Sequence, residues 1–264
     1  MDRGSFQKHT TLARTGLKVS RIGLASGYSA PARGVIRAFE EYGINYFYWD
    51  RRKPGMRDAL RELARKRRDD IVIAVQSYDH TGLMLRRSVE KALKQLEIER
   101  ADILFLGWFN KMPSQRVLDV TSRLREEGKF RFLGVTGHNR AFHGEAARQG
   151  DQPFDVHQVR YNAAHRGAES DVFAGLPDSR PGIVTYTATR WGKLLKANKM
   201  PPGERPLTAA ECYRFVLSHP AVDVCLAGPR TEQEMEEGLQ AIAEGPLSED
   251  ELHRVRAIGD HVHG

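Results

Sequence analysis

Eight short apolar runs alternating with stretches of helical periodicity constrain this chain more than any other feature. The runs are Arg21–Ala25, Tyr46–Trp49, Ile71–Gln76, Asp102–Leu106, Phe132–Thr136, Val156–Val159, Gly182–Thr187 and Val224–Ala227. They are mostly apolar and β-branched, as strands covered on both faces are. Helical patterning falls on Pro31–Tyr42, Pro54–Lys66, Gly82–Leu96, Pro113–Glu127, Ala209–Ser218, Thr231–Ala243 and Ser248–Ile258. In Gly82–Leu96, Val89, Leu93 and Leu96 share an apolar face opposite Arg87 and Lys91. Ser248-Glu-Asp-Glu reads as an N-cap followed by an acidic first turn.

This alternation over 264 residues predicts one domain, residues 1–264, folded as a closed parallel (β/α)8 barrel. A doubly wound open sheet is the competing architecture. It calls for a Gly-x-Gly-x-x-Gly turn after the first strand, and Gly23-Leu-Ala-Ser-Gly27 is a poor match. Two segments fit no pattern cleanly. Gly167–Arg180 reads as a weak helix ending in turn residues, and Lys193–Leu207 reads as a long loop.

Composition excludes several classes. The two cysteines, Cys212 and Cys225, make no disulfide framework and suit a reducing, cytoplasmic setting. No apolar run approaches the ~20 residues that span a bilayer, and the first residues lack the apolar core of a secretory signal. Neither His-x-x-x-His nor Cys-x-x-Cys occurs, so no metal site is expected. The net charge of +7 includes the runs Arg51-Arg52-Lys53 and Arg65-Lys66-Arg67-Arg68. No nucleic-acid recognition motif accompanies them. A small, anionic molecule is the better-matched partner, with no nucleic acid and no membrane. Nothing in the sequence fixes an oligomeric state.

A series of motifs resembles the aldo-keto reductase family, in order and over nearly the whole chain. It opens with Leu12-Ala-Arg-Thr-Gly-Leu-Lys-Val-Ser-Arg-Ile-Gly-Leu24 and continues through Gly43-Ile-Asn-Tyr-Phe47, Asp70-Ile-Val-Ile-Ala74 and Asp102-Ile-Leu-Phe-Leu-Gly-Trp108. Glu127-Gly-Lys-Phe-Arg-Phe-Leu-Gly-Val135, Gln158-Val-Arg-Tyr-Asn162 and Ala227-Gly-Pro-Arg230 complete it. The resemblance implies a TIM barrel whose bottom is plugged by an N-terminal β-hairpin. It also implies hydride exchange between NADP(H) and a carbonyl or alcohol, with a tyrosine, tuned by a Lys–Asp pair and a histidine, as proton donor.

Against that family pattern, all four catalytic positions are replaced. Tyr48 stands where the Asp belongs, Lys53 at the Tyr, Gln76 at the Lys and Gly107 at the His. Shifting the alignment makes Asp50 the acidic member without restoring the other partners. The cofactor side is better kept. Gln158 and Thr136 match residues that reach the nicotinamide amide, and Tyr186, followed by Thr187, matches the aromatic that stacks on its ring. Gly228 and Arg230 match the start of the adenosine-phosphate site. Gly137, Glu234 and Gly238 depart from the family's Asn, basic residue and Asn.

The strand C-termini of such a barrel carry its chemistry. Tyr48, Asp50, Lys53, Gln76, Tyr78, Asp79, His80, Trp108, Asn110, His138, Asn139, Arg160, Tyr161, His165, Tyr186 and Arg190 are expected around the mouth. Tyr48 and Lys53 are the leading substitute proton donors: a neighbouring ammonium lowers a phenol's pKa, and desolvation lowers a lysine's. Lys53 also reads as a solvated loop residue beside Arg51 and Arg52. His80 is a third candidate, or an ordinary turn histidine. His138 and His165 are expected to face each other. Trp108 and Trp191 read as pocket walls or packing, and His261 and His263 as a frayed tail.

Two functional readings follow. One is a divergent oxidoreductase using NADP(H) or NAD(H) on a small carbonyl or alcohol with a non-standard proton donor. The other is a pseudoenzyme, a nucleotide- or small-molecule-binding regulatory barrel without turnover; a different chemistry on the same scaffold is a further alternative.

Overall fold

The computed structural model describes residues 5–25, 31–49 and 54–263. Its first element is an antiparallel hairpin, β1 (His9–Thr11) and β2 (Lys18–Ser20). Eight parallel strands then close into a barrel: β3 (Ile22–Ala25), β4 (Tyr46–Trp49), β5 (Val72–Ser77), β6 (Ala101–Leu106), β7 (Phe130–Thr136), β8 (Val156–Arg160), β9 (Gly182–Tyr186) and β10 (Val224–Ala227), with β10 returning to β3. All eight lie at or within a residue or two of the runs read from the sequence. The helices are α1 (Ala32–Tyr42), α2 (Pro54–Arg67), α3 (Gly82–Leu96), α4 (Gln115–Glu126), α5 (Arg140–Arg148), α6 (Ala209–Leu217), α7 (Glu232–Glu244) and α8 (Glu249–His263).

Strand alternation divides the apolar residues into two bodies. One lies between barrel and helices and includes Phe47, Trp49, Ile73, Val75, Leu104 and Leu106. The other fills the lumen with Tyr46, Val72, Ala74, Ile103, Phe105, Val156, Val184 and Val224. Leu12, Leu17 and Val19 from the hairpin region join it from below. Large lumen residues sit against glycines. A Cβ at Gly134 would stand 2.4 Å from the Phe105 ring, and one at Gly23 would stand 2.7 Å from the Tyr46 ring. These glycines make the lumen a packed core rather than a pore.

Carboxylates fasten the strands at the barrel's bottom. Asp102 accepts from the Ile73 amide at 2.9 Å, Asp155 from Leu133 at 2.8 Å and Asp223 from Ile183 at 2.8 Å. Arg180 meets both Asp223 oxygens, at 2.7 and 2.8 Å. The basic run at the end of α2 is likewise neutralised: Arg65 pairs with Glu97, Lys66 with Glu62, Arg67 with Asp70 and Arg68, in the turn that follows, with Asp102.

Three expectations need correction, and one helix lies where none was expected. α5 carries no sequence expectation because its buried face is His143, Gly144, Ala146 and Ala147, too small and polar for a visible apolar stripe. Asn139 caps it, accepting from the Phe142 amide. The weak helix at Gly167–Arg180 reduces to one π-helical turn, Glu169–Phe173. The stretch Lys193–Leu207 is not featureless: it contains 3-10 turns at Lys193–Leu195 and Ala197–Lys199, is anchored by buried Leu194 and is closed by Leu207 N donating to Leu194 O. The C-terminus is not frayed: α8 continues to His263, whose carbonyl accepts from Arg190 and whose ring bonds the Ala164 carbonyl.

Candidate functional site

At the C-terminal ends of the strands lies a cleft of about 870 Å³, within the range of pockets that enclose a small-molecule ligand or cofactor. Strand register assembles its floor. β7 and β8 set Thr136 opposite Gln158, and β9 adds Tyr186 from the next strand. β4 and β5 contribute Tyr48 and Gln76 from adjacent strands. All six residues expected to hold a cofactor, Thr136, Gln158, Tyr186, Thr187, Gly228 and Arg230, line this one cleft.

The floor is polar, buried and incompletely satisfied. Gln76 is 4% and Gln158 5% exposed, and the Oε1 of each has no hydrogen-bond partner. An unpaired buried carbonyl costs about 1–3 kcal/mol, so both oxygens call for a donor from whatever occupies the cleft. Tyr48 is buried beside them, its ring edge-on to Phe105 with centroids 6.1 Å apart. The Tyr186 hydroxyl donates to the Gly137 carbonyl at 3.3 Å and lies 3.3 Å from His138 Nδ1. Burial pushes the Tyr186 phenol above its usual pKa, and Arg160 opposes that shift.

The rim is aromatic and strained. Trp108 (61% exposed) and Trp191 (54%) border the opening, and the Tyr78 ring lies 4.7 Å from that of Trp108. Trp108, Thr187 and Trp191 have φ of 60°, 60° and 51°, left-handed conformations that non-glycine residues adopt at a cost and that cluster at functional sites. Leu195, Lys196 and Leu207 bring the stretch after β9 into the same wall.

Other expected mouth residues turn elsewhere. His80 stands outside the cleft wall: it is stacked on Phe109 with centroids 4.1 Å apart, and its Nε2 lies 3.1 Å from the Gly107 carbonyl. His138 does not face His165. It pairs with Tyr186, whereas His165 packs on His263, with centroids 5.0 Å apart. Burial, with Arg160 and Arg190 nearby, lowers the His165 pKa to about 4. Tyr161 points behind the barrel, donating to Glu169 at 2.7 Å, and Arg190 reaches α8. Asn110 builds the loop by accepting from the His138 and Asn139 amides. Asp79, Arg160 and Asn139 are likewise absent from the cleft lining. Asp50, Arg51, Arg52 and Lys53 lie outside the described residues. The Tyr186–His138 pair was missed in the sequence because the two positions lie on different strand ends and only the barrel joins them.

Gly107 and Gln76 occupy each other's space. A Cβ at Gly107 would stand 2.3 Å from Gln76 Nε2, 2.7 Å from the Tyr78 ring and 3.0 Å from the Ser77 carbonyl. Among the described residues no cluster of three or more His, Cys, Asp or Glu side chains could hold a metal, and no helix is long and apolar enough to cross a membrane.

Fold and site together define a parallel α/β barrel with a ligand-sized cleft at its mouth. The chain belongs to the Aldo/keto reductase family, whose sequence model matches residues 35–211. It is 30% identical over 131 residues to the putative aryl-alcohol dehydrogenase AAD10 of Saccharomyces cerevisiae, covering 41% of this chain and 46% of that protein. It is 22% identical over 296 aligned positions to the uncharacterized oxidoreductase YrpG of Bacillus subtilis, covering 89% and 91%. The L-galactose dehydrogenase of Arabidopsis thaliana matches at 25% over 151 residues, 48% of this chain and 47% of that enzyme. The chain thus spans about half the length of several curated relatives it matches. The family generally binds nicotinamide cofactors.

Proposed function

We propose that this barrel is an oxidoreductase that binds a nicotinamide dinucleotide in the mouth cleft and converts a small carbonyl or alcohol. The observation that carries this reading is the pair of buried, unpartnered carboxamide oxygens on Gln76 and Gln158, in the cleft where all six cofactor candidates meet. The nicotinamide carboxamide offers the N–H donors that such oxygens lack.

Bound there, the cofactor supplies or accepts the hydride at the substrate carbon. The chain's own residues do the rest. Gln158 accepts from the carboxamide, with Thr136 opposite it, and fixes the ring's orientation. Tyr186 closes the adjoining wall, its hydroxyl held by Gly137 and His138. Trp108, Tyr78 and Trp191 border the opening and offer aromatic surface to a bound substrate. In carbonyl reduction, Tyr48 donates its phenolic proton to the carbonyl oxygen as the carbon gains hydride, and bulk solvent then reprotonates the phenolate. Lys53 is the cation we assign to stabilise that phenolate, and His80 supports the site through the Gly107 carbonyl.

The direct test pairs turnover with binding. Tyr48→Phe should lower kcat on a panel of small aldehydes by about 10² or more, in keeping with general acid catalysis, and leave cofactor affinity unchanged. Undiminished turnover in Tyr48→Phe would remove Tyr48 from the mechanism. Tyr186→Phe then asks whether the hydroxyl beside His138 is the donor instead. Cofactor binding with no turnover in the native protein would favour the regulatory reading, motivated by the replacement of four family catalytic positions.

A further inference from the structure

The cleft has a second end, along α7. Its wall there includes Arg230, Glu234, Glu237 and Glu244. The spacing of the three glutamates places them along one side of the helix. Lys196 and Arg230 are the Lys and Arg cations among the described lining residues. Arg230 is already engaged: Glu234 Oε1 accepts from its Nη2 at 2.6 Å and its Nε at 3.0 Å, and Glu234 Oε2 accepts from its backbone N–H at 2.8 Å. Thr231 caps the helix, accepting from the Glu234 amide at 3.1 Å. A helix N-terminus beside an arginine ordinarily suits a bound anion. In this protein the chain's own carboxylate occupies that position, and Arg230 keeps the Glu234 pKa below the usual carboxylate range.

Position 238 removes a further contact. A Cβ there would stand 2.7 Å from the Tyr213 ring, so α7 packs closely on α6 at this point and presents no side chain from position 238. The same cleft holds the unpartnered oxygens of Gln76 and Gln158, an independent sign that it receives a ligand.

We propose that the α7 end of the cleft selects a dinucleotide with a free ribose 2′-hydroxyl over one bearing a 2′-phosphate, with Glu234 as the selecting residue. This rests on the reading of the cleft as a nicotinamide dinucleotide site. A ribose hydroxyl donates to a carboxylate oxygen and leaves the Arg230–Glu234 pair intact. A phosphate dianion has to displace Glu234 from Arg230, with Glu237 one turn further along the same side of α7. An acidic side chain for the 2′-hydroxyl and an unencumbered arginine for the 2′-phosphate are the general solutions to this choice. Glu234 supplies the first and forecloses the second.

The test is equilibrium titration of NADH and NADPH, each alone, into the native protein, Glu234→Gln and Glu234→Gln/Glu237→Gln, read by quenching of tryptophan fluorescence. Thermal melting of each variant confirms that it is folded. The native protein should bind NADH at least tenfold more tightly than NADPH. Glu234→Gln should shrink that ratio severalfold, mainly by strengthening NADPH, and the double variant should shrink it further. Equal or tighter NADPH binding in the native protein would overturn the proposal and leave the cleft assignment standing. An unchanged ratio in both variants would overturn the role of Glu234. Binding of neither nucleotide at millimolar concentration would overturn this proposal and the proposed function together.

Discussion

Gly107→Ala is the perturbation whose consequence is most closely set by the geometry. The new methyl would arrive 2.3 Å from Gln76 Nε2, 2.7 Å from the Tyr78 ring and 3.0 Å from the Ser77 carbonyl. Overpacking of this kind costs about 1–3 kcal/mol. The Gln76 amide is the flexible end of a side chain and yields first, by withdrawing from the cleft floor. The backbone carbonyl of Ser77 cannot withdraw, because it accepts from the Gly107 amide at 2.8 Å. The substitution is therefore expected to lose about 1–2 kcal/mol and to weaken nicotinamide nucleotide binding at the same time. In a Gln76→Ser background the closest clash is gone, and the same methyl should cost about 1 kcal/mol less, a coupling typical of touching residues. Guanidinium unfolding of the four proteins, with m-values compared, measures this cycle. Strict additivity, or a Gly107→Ala protein of native stability and affinity, would refute the claim that positions 76 and 107 share one space.

Three other outcomes follow from the same structure. His143 and His157 are buried with their Nδ1 atoms 3.1 Å apart, and burial lowers His143 to about 4 and His157 well below its usual value. Both stay neutral in the folded protein, so stability is full above pH 6.5 and falls as the unfolded chain takes up protons below it. The loss is about 1.4 kcal/mol per pH unit per histidine down to pH 4; His143→Gln/His157→Gln should flatten that slope in unfolding experiments at pH 7 and pH 5. Asp223→Ala strips Arg180 and the Ile183 amide of their shared acceptor and should cost about 3–5 kcal/mol in chemical unfolding. Leu194→Ala removes the buried anchor of the stretch after β9 and should cost about 2–4 kcal/mol; it should also weaken cofactor binding, because Leu195 and Lys196 line the cleft.

The barrel was legible because strands covered on both faces write themselves as short, mostly apolar runs, although β8 carries His157, Gln158 and Arg160 among its valines. The glycines at 23 and 134 were visible as residues but not as space, since their partners Tyr46 and Phe105 lie beside them on neighbouring strands that only the barrel pairs. α5 escaped notice because it buries histidine, glycine and alanine. The residues that the family resemblance assigns to a cofactor, Thr136, Gln158, Tyr186 and Arg230, meet in one cleft. The chemistry around them was less legible. That His138 turns to Tyr186 and not to His165 depends on loop geometry that local spacing does not encode. The same holds for His80, which reads as a free turn residue and instead stacks on Phe109.

The account stands on Gln158 as the acceptor for a nicotinamide carboxamide. Fluorescence titration of NADH into the native protein and into Gln158→Leu measures that claim directly, since Trp108 and Trp191 border the cleft and report its occupancy. Saturable quenching is expected in the native protein, weakened about tenfold or more in Gln158→Leu, the loss that one buried hydrogen bond implies. No binding at millimolar NADH, or equal affinity in the two proteins, would contradict it.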